Sequence, residues 1–198
     1  MKKGEVTRQR IIAESAPIFN QRGFAGCSMQ DVMDATGLEK GGLYRHFTSK
    51  EELAVEAFKY ALKVTVEART RSAEAGDPPA GAIEKLLTMV DQFVRVPSAI
   101  AGGCPLMNTA VDADDSNPAL FALARDSVKA WKRRLCKIVE EGIASGEIRT
   151  GTEPRRVANG IIGTLEGSLM ISRLEGNRDA MLDAAETLRS MLLALAKK

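Results

Sequence analysis

The sequence is short of the residues that most chemistry needs. Its 198 residues contain one histidine, one tryptophan and three cysteines. Cys27, Cys104 and Cys136 form no CxxC pair and no Cys/His cluster, so neither a disulfide framework nor a zinc site has a basis. No apolar run approaches the roughly 18 residues that cross a bilayer. The N-terminal MKKGEVTRQRIIAES turns polar again straight after its basic residues, where a signal peptide would open an apolar core. A cytoplasmic location without a membrane partner is therefore expected. A single histidine leaves no Ser-His-Asp set, and no phosphate-binding glycine loop or metal-ligand spacing is present. The chain does not read as an enzyme, and no cofactor or metal is expected. The alternation of a β-strand is missing as well.

What remains is ordinary globular material with a helical rhythm. A composition of 44% hydrophobic and 27% charged residues gives enough apolar mass for one substantial core or two small ones and excludes disorder. Apolar residues recur at helical spacing in Ile11, Ile12, Ile18 and Phe19, in Leu53, Ala57, Tyr60, Ala61 and Val64, and in Ile83, Leu86, Leu87, Val90 and Phe93. Turn chemistry divides the pattern at 23–26, 37, 76–81, 101–105, 112–118, 146–154 and 176–178. Ser28 before MQDVMDA, Ser49 before KEEL with Glu52 three residues on, and Asn117 before Pro118 are helix-start signals. The expected fold is all-α, with about nine helices. Pro17 falls inside the first of them and is expected to bend it.

The N-terminal third resolves into short helices at about 7–22, 28–35 and 39–47, with a long fourth from Ser49. Gly37 occupies the tight turn between the second and third, where the backbone needs a positive φ. Helix, glycine turn and short helix make a helix-turn-helix, whose second helix enters the DNA major groove. At the start of that helix Gly41 and Gly42 remove side-chain bulk, which lets the backbone approach DNA. Tyr44, Arg45 and His46 follow one turn later, and Lys50 stands at the start of the next helix, in reach of phosphates. The alternative is a loop between packing helices, with Tyr44 and Phe47 as core. Charge favours the first reading: residues 1–50 hold eight Lys/Arg against five Asp/Glu, and the rest of the chain 20 against 21.

The stretch IFNQRGFAGCSMQDVMDATGLEKGGLYRHFTSKEEL resembles the DNA-binding domain of TetR-family transcriptional repressors, over about residues 7–55. The resemblance implies a three-helix helix-turn-helix domain in residues 1–50 and a helical ligand-binding and dimerisation domain in residues 51–198. It places a phosphate-contacting cap at Ser28 and a base-reading side chain at Gln30, whose amide suits adenine. The recognition positions fall on Glu39, Lys40, Gly41 and Gly42, with Tyr44, Arg45, His46 and Lys50 behind them. Lys40 is suited to guanine. Glu39 departs from the family's frequent serine and Gly42 from its frequent threonine.

The remainder must then supply a dimer interface and a sensor. Segments 154–174 and 179–196 are amphipathic and joined by a short turn, as a helical hairpin is. Gly160, Gly163 and Gly167 fall near one face, and with Leu174, Leu188 and Leu192 they are the expected contacts to a second copy; packing within the chain is the alternative. Met89, Phe93, Met107, Phe121 and Trp131 suit an adaptable pocket for a small apolar or aromatic inducer, and equally an ordinary core. Cys104, at the start of a short helix, is a candidate electrophile sensor or an inert apolar residue. The acids Asp112, Asp114 and Asp115 read as a solvated turn. The expectation is a homodimeric repressor that binds a palindromic double-stranded operator and is released by an inducer. The alternative is a helical small-molecule-binding or adaptor protein without specific DNA binding.

Overall fold

The computed structural model describes residues 3–114 and 116–197. Among these lie nine helices and no strand beyond an isolated bridge between Ile148 and Ala196. In chain order they are α1 (Lys3–Gly26), α2 (Met29–Thr36), α3 (Lys40–Tyr44), α4 (Lys50–Glu74), α5 (Ala82–Arg95), α6 (Pro105–Ala113), α7 (Pro118–Ser145), α8 (Pro154–Glu175) and α9 (Asp179–Leu193). The all-α expectation holds. The helices fall into two compact units, one from Met1–Val66 with Ser98–Asp126, the other from Glu67–Pro97 with Ser127–Lys198.

The first unit is built on Ile11, Ile12, Val32, Leu43, Phe47 and Leu53, which come from α1 to α4 and are at most 2% exposed. Leu43 and Phe47 lie four residues apart, so the stretch that carries the recognition helix turns one apolar edge inward. Burying each such side chain contributes about 1.5–3 kcal/mol. Phe47 is thus core, whereas Tyr44 is 43% exposed.

The start signals act as their chemistry requires. Ser28 caps α2 in a full capping box with Asp31, and the Asn117 side chain accepts from Leu120 N–H at 3.0 Å. At α4 the box is shifted: Ser49 Oγ accepts from Glu52 N–H at 3.1 Å, but the Glu52 carboxylate reaches Thr48, not Ser49, at 2.8 Å from both its N–H and its hydroxyl. Gly37 ends α2 with φ 64°, as the turn demands. The discontinuity in α1 lies at Gly23 (φ 73°, ψ 174°), whereas Pro17 stays within helical geometry. Asp112 belongs to the last turn of α6 and Asp114 caps its end, so the acidic run is not a free turn; Asp115 lies outside the described residues.

The second unit packs α5, α8 and α9 around Leu86, Leu135, Ile148, Ile161, Leu165, Leu188 and Leu192, each at most 1% exposed. The Glu147 carboxylate accepts from Ala82 N–H at 2.6 Å and Ile83 N–H at 3.0 Å, which satisfies two orphan donors at the start of α5. Lys197 N–H donates to Glu147 O at 2.9 Å and Arg149 N–H to Leu195 O at 3.0 Å, so the segment after α9 is tied back to the loop before α8. The hairpin of α8 and α9 forms as expected, with one correction. Leu188 and Leu192 are core residues of this chain and offer no surface to a partner. The apolar side chains that the hairpin exposes are Met170, Ile171, Leu174, Leu182 and Leu193.

Candidate nucleic-acid interface

α2, α3 and the first turn of α4 carry the ten positions expected to face DNA. Ser28, Gln30, Glu39, Lys40, Gly41, Tyr44 and Arg45 are exposed, and Gly42, His46 and Lys50 are half-buried. All ten therefore reach solvent while Leu43 and Phe47, interleaved with them, hold the segment to the core. A Cβ at Gly41 would meet nothing within 4 Å, and one at Gly42 would meet only the Leu38 side chain at 3.6 Å. The space in front of Gly41 is open, as a backbone that approaches a groove requires. α3 is a single turn of helix: Gly42 and Leu43 N–H both donate to Glu39 O, and His46 and Phe47 N–H both donate to Leu43 O. Arg45 and His46 thus stand in a turn after the helix and not within it, because α3 ends at Tyr44, three residues short of the expected end at 47.

Several of these side chains are already engaged. Ser28 Oγ donates to Asp31 Oδ2 at 2.6 Å and accepts from Asp31 N–H at 3.1 Å. Gln30 Nε2 donates to Asp34 Oδ1 at 2.7 Å, so its amide must leave Asp34 to read a base. Lys50 Nζ lies 4.3 Å from the centroid of the Phe24 ring, a cation–π contact that restricts where the ammonium can be. Arg8 supports α4 from α1: it pairs with Glu52 at 3.4 Å and Glu56 at 3.6 Å and covers the Phe47 ring at 4.6 Å. The Thr48 N–H and hydroxyl, then Arg8, hold the Glu52 carboxyl below the usual range.

Residues 82–188 match the family described as "Tetracyclin repressor-like, C-terminal domain", and residues 11–57 match "Bacterial regulatory proteins, tetR family". The chain belongs to the TetR family of transcriptional regulators. It is a DNA-binding regulator and not an enzyme. Its similarity extends over the whole chain in two solved structures. A TetR transcriptional regulator from Chloroflexus aurantiacus J-10-FL shares 38% identity, with 99% of this chain and 98% of that one covered and a TM-score of 0.90. A TetR-family regulator from Cytophaga hutchinsonii shares 33%, with 100% and 98% covered and a TM-score of 0.90. Among curated proteins, the HTH-type transcriptional repressor DhaR of Mycobacterium sp. (strain GP1) is 24% identical over 178 residues, which span 88% of this chain and 86% of DhaR.

The five residues expected to line an inducer pocket divide between the two units. Met107 and Phe121 belong to the first unit, whereas Met89, Phe93 and Trp131 belong to the second. In the second unit Phe93 is 3% exposed and stacks on Trp131, with centroids 5.8 Å apart and planes 14° from parallel. The Arg69 guanidinium lies 4.1 Å from the Phe93 centroid on the same stack. A shallow, solvent-open cleft runs between α1, α4 and α6 of the first unit, walled by Ala16, Phe19, Phe58, Ala61 and Leu120. None of the five expected residues lines it. Cys104 does stand at the N-cap of α6, but it is 4% exposed, and a sensing thiol needs solvent access. Burial, then the Asp31 carboxylate, pushes the Cys27 thiol up, and burial does the same to Cys136.

Sequence reasoning did not single out Arg8, which pairs with Glu52 and Glu56 and covers Phe47, or Asn108, whose amide donates to Asn20 O. Asp112 reads only as part of a turn in the sequence, and Phe24 only as part of the stretch that resembles the family.

Proposed function

We propose that this regulator is a homodimeric repressor that binds a palindromic operator in the cytoplasm and is released by a small apolar or aromatic inducer. The observation that carries the reading is the arrangement of α2, α3 and the start of α4, where all ten DNA-facing positions reach solvent over a buried Leu43–Phe47 edge. Residues 1–50 would bind DNA and residues 51–198 would dimerise and sense. Ser28, Tyr44, Arg45, His46 and Lys50 hold phosphates and fix the register, whereas Gln30, Lys40 and Glu39 face base edges across the glycines. The exposed apolar side chains of α8 and α9, with open space at Gly163 and Gly167, support a contact between copies. Two recognition helices joined in this way sit about 34 Å apart, or a multiple of it, to engage both halves of a palindrome. The repressor sense of the reading is supported by DhaR, which is named a repressor. Met89, Phe93 and Trp131 are the candidate wall of the inducer site.

The test is binding of the purified protein to the DNA that flanks its own gene, followed by fluorescence anisotropy across a salt titration, with sedimentation of the free protein alongside. Tight, salt-sensitive binding by a dimer, with a random duplex bound far more weakly, is expected. Equal affinity for both duplexes would overturn the operator reading, and a free protein that sediments as a monomer would overturn the dimer.

A further inference from the structure

In an unbroken α1, the Phe24 N–H would donate to Asn20 O, four residues earlier. Gly23 breaks that bond, because its φ of 73° and ψ of 174° swing the last turn of the helix away. Both orphaned groups are then satisfied from α6. Phe24 N–H donates to Asp112 Oδ2 at 2.6 Å, and Asn20 O accepts from Asn108 Nδ2 at 2.9 Å. Asn108 and Asp112 are four residues apart, so they share one face of α6. Their spacing matches the two groups that the kink separates.

The fit is close on every side. A Cβ at Gly23 would overlap the Asp112 carboxylate, so only glycine allows the approach. Asn108 Nδ2 also lies 3.1 Å from Asn20 Oδ1 and 2.8 Å from Gly102 O, while Asn20 Nδ2 donates to Ala101 O at 2.9 Å and Gly103 O at 3.2 Å. Asn20 is 8% exposed, and these bonds are what its burial requires. The kink is therefore held by the segment 101–112 and not by α1 itself.

What the kink sets is the edge of the DNA-facing surface. Phe24 is the first residue beyond Gly23, and its ring carries the Lys50 ammonium at 4.3 Å. Arg22, the last residue before Gly23, pairs with Asp31 of the α2 capping box at 2.5 Å. Phe24 thus touches Lys50, a proposed phosphate contact, and Arg22 touches Asp31, the capping partner of Ser28. We propose that Asn108 and Asp112 are positioning residues for DNA binding: they replace the hydrogen bond that α1 loses at Gly23, and through Phe24 they fix the Lys50 ammonium at the phosphate backbone. The proposal rests on the assignment of Lys50 to DNA.

The test is a double-mutant cycle between Asp112→Ala and Lys50→Ala, read as the dissociation constant for the duplex flanking the gene and for a random duplex. All measurements are made where circular dichroism shows each variant folded. Asp112→Ala is expected to weaken binding to both duplexes by about tenfold. Asp112→Asn keeps an oxygen that accepts from Phe24 N–H and should stay within about threefold of the parent. Lys50→Ala should cost less in the Asp112→Ala background than in the parent, because the ammonium is no longer held in place. A residue that only stabilised the fold would give additive effects. If Asp112→Ala is unfolded at the assay temperature, Asn108→Ala carries the same cycle. Additive losses, or an Asp112→Ala variant that binds like the parent, would overturn the proposal and leave the regulator reading intact. A parent protein that binds neither duplex would overturn both.

Discussion

Ser28 and Asp31 exchange hydrogen bonds at the start of α2: the Ser28 N–H and hydroxyl donate to Asp31 Oδ2 at 2.7 and 2.6 Å, and Asp31 N–H donates back to Ser28 Oγ at 3.1 Å. The two donations from Ser28, with Arg22 behind them, lower the Asp31 carboxyl from 3.8 to about 2. A carboxyl whose folded value lies below its unfolded one stabilises the fold above the unfolded value. Its contribution is therefore complete above about pH 4 and lost as the pH falls through about 2. Carbon-detected NMR titration of the Asp31 carboxyl should show the low midpoint, and Ser28→Ala should raise it toward 3.8. The same variant should destabilise the protein by about 1 kcal/mol, as loss of a helix cap does. A midpoint that Ser28→Ala leaves in place would show that the cap does not hold the carboxylate.

Phosphate contacts and base contacts predict different losses. Tyr44→Ala and Lys50→Ala should weaken binding to every sequence, and Lys50→Ala should lower the salt slope by about one. Lys40→Ala and Gln30→Ala should also change which bases are preferred, by about 1–3 kcal/mol of discrimination at the position read. Gln30 must give up its 2.7 Å bond to Asp34, so Asp34→Ala is expected to leave Gln30 freer and to strengthen or broaden its base contact. Selection from a randomised duplex library separates the two classes. Equal shifts for all four variants on specific and random DNA would refute the division.

What was legible in the sequence was local. Gly37, Ser28 and Asn117 announce turns and caps because their chemistry acts within four residues, and the structure places each as read. The apolar rhythm gave the helices for the same reason. Gly23 shows the limit: the bond that compensates for it runs from Phe24 to Asp112, 88 residues further on, and no local pattern points there. Leu188 and Leu192 show another. An apolar stripe at helical spacing states that a face is covered, and it does not state whether the cover is the same chain or a second copy. Met107 and Phe121 read like Met89, Phe93 and Trp131, yet the fold sends them to different units.

Burial of the thiols bears on how this regulator responds to electrophiles. Cys27 and Cys104 are 1% and 4% exposed, and the Cys27 and Cys136 thiols are pushed up. An aromatic disulfide reagent at neutral pH should therefore react slowly with Cys27 and Cys104 in the folded protein and rapidly with all three cysteines in denaturant. Cys104→Ser should leave any release of DNA by electrophiles unchanged. Fast labelling of Cys104 in the folded state, together with release abolished by the serine variant, would restore it as a sensor.

Trp131 is the single tryptophan of the chain, and it stacks on Phe93. Its fluorescence consequently reports on one place. A ligand that enters beside the stack should quench or shift that emission at the concentration that releases DNA, and Phe93→Ala should weaken both effects together. Phe93 is a core residue, so the variant should also lose about 3–5 kcal/mol of stability. Release of DNA by a ligand that leaves the emission untouched would put the inducer elsewhere.

The hairpin separates interface from core by exposure. Leu174 is 81% exposed, so in a monomer nothing is lost when it is changed to a charge. In a dimer built on this hairpin, Leu174→Glu buries an unpaired carboxylate against the second copy, a cost of several kcal/mol in association. Leu188 is 1% exposed, and Leu188→Ala removes apolar contacts inside the protomer at about 2–5 kcal/mol. Sedimentation and thermal melting at high dilution should therefore give opposite results for the two. Leu174→Glu should convert dimer to monomer and keep the melting temperature of the dilute parent, whereas Leu188→Ala should lower the melting temperature at every concentration. A Leu174→Glu protein that sediments as the parent would move the interface off α8, and the spacing of the two recognition helices would then have to be set by another surface.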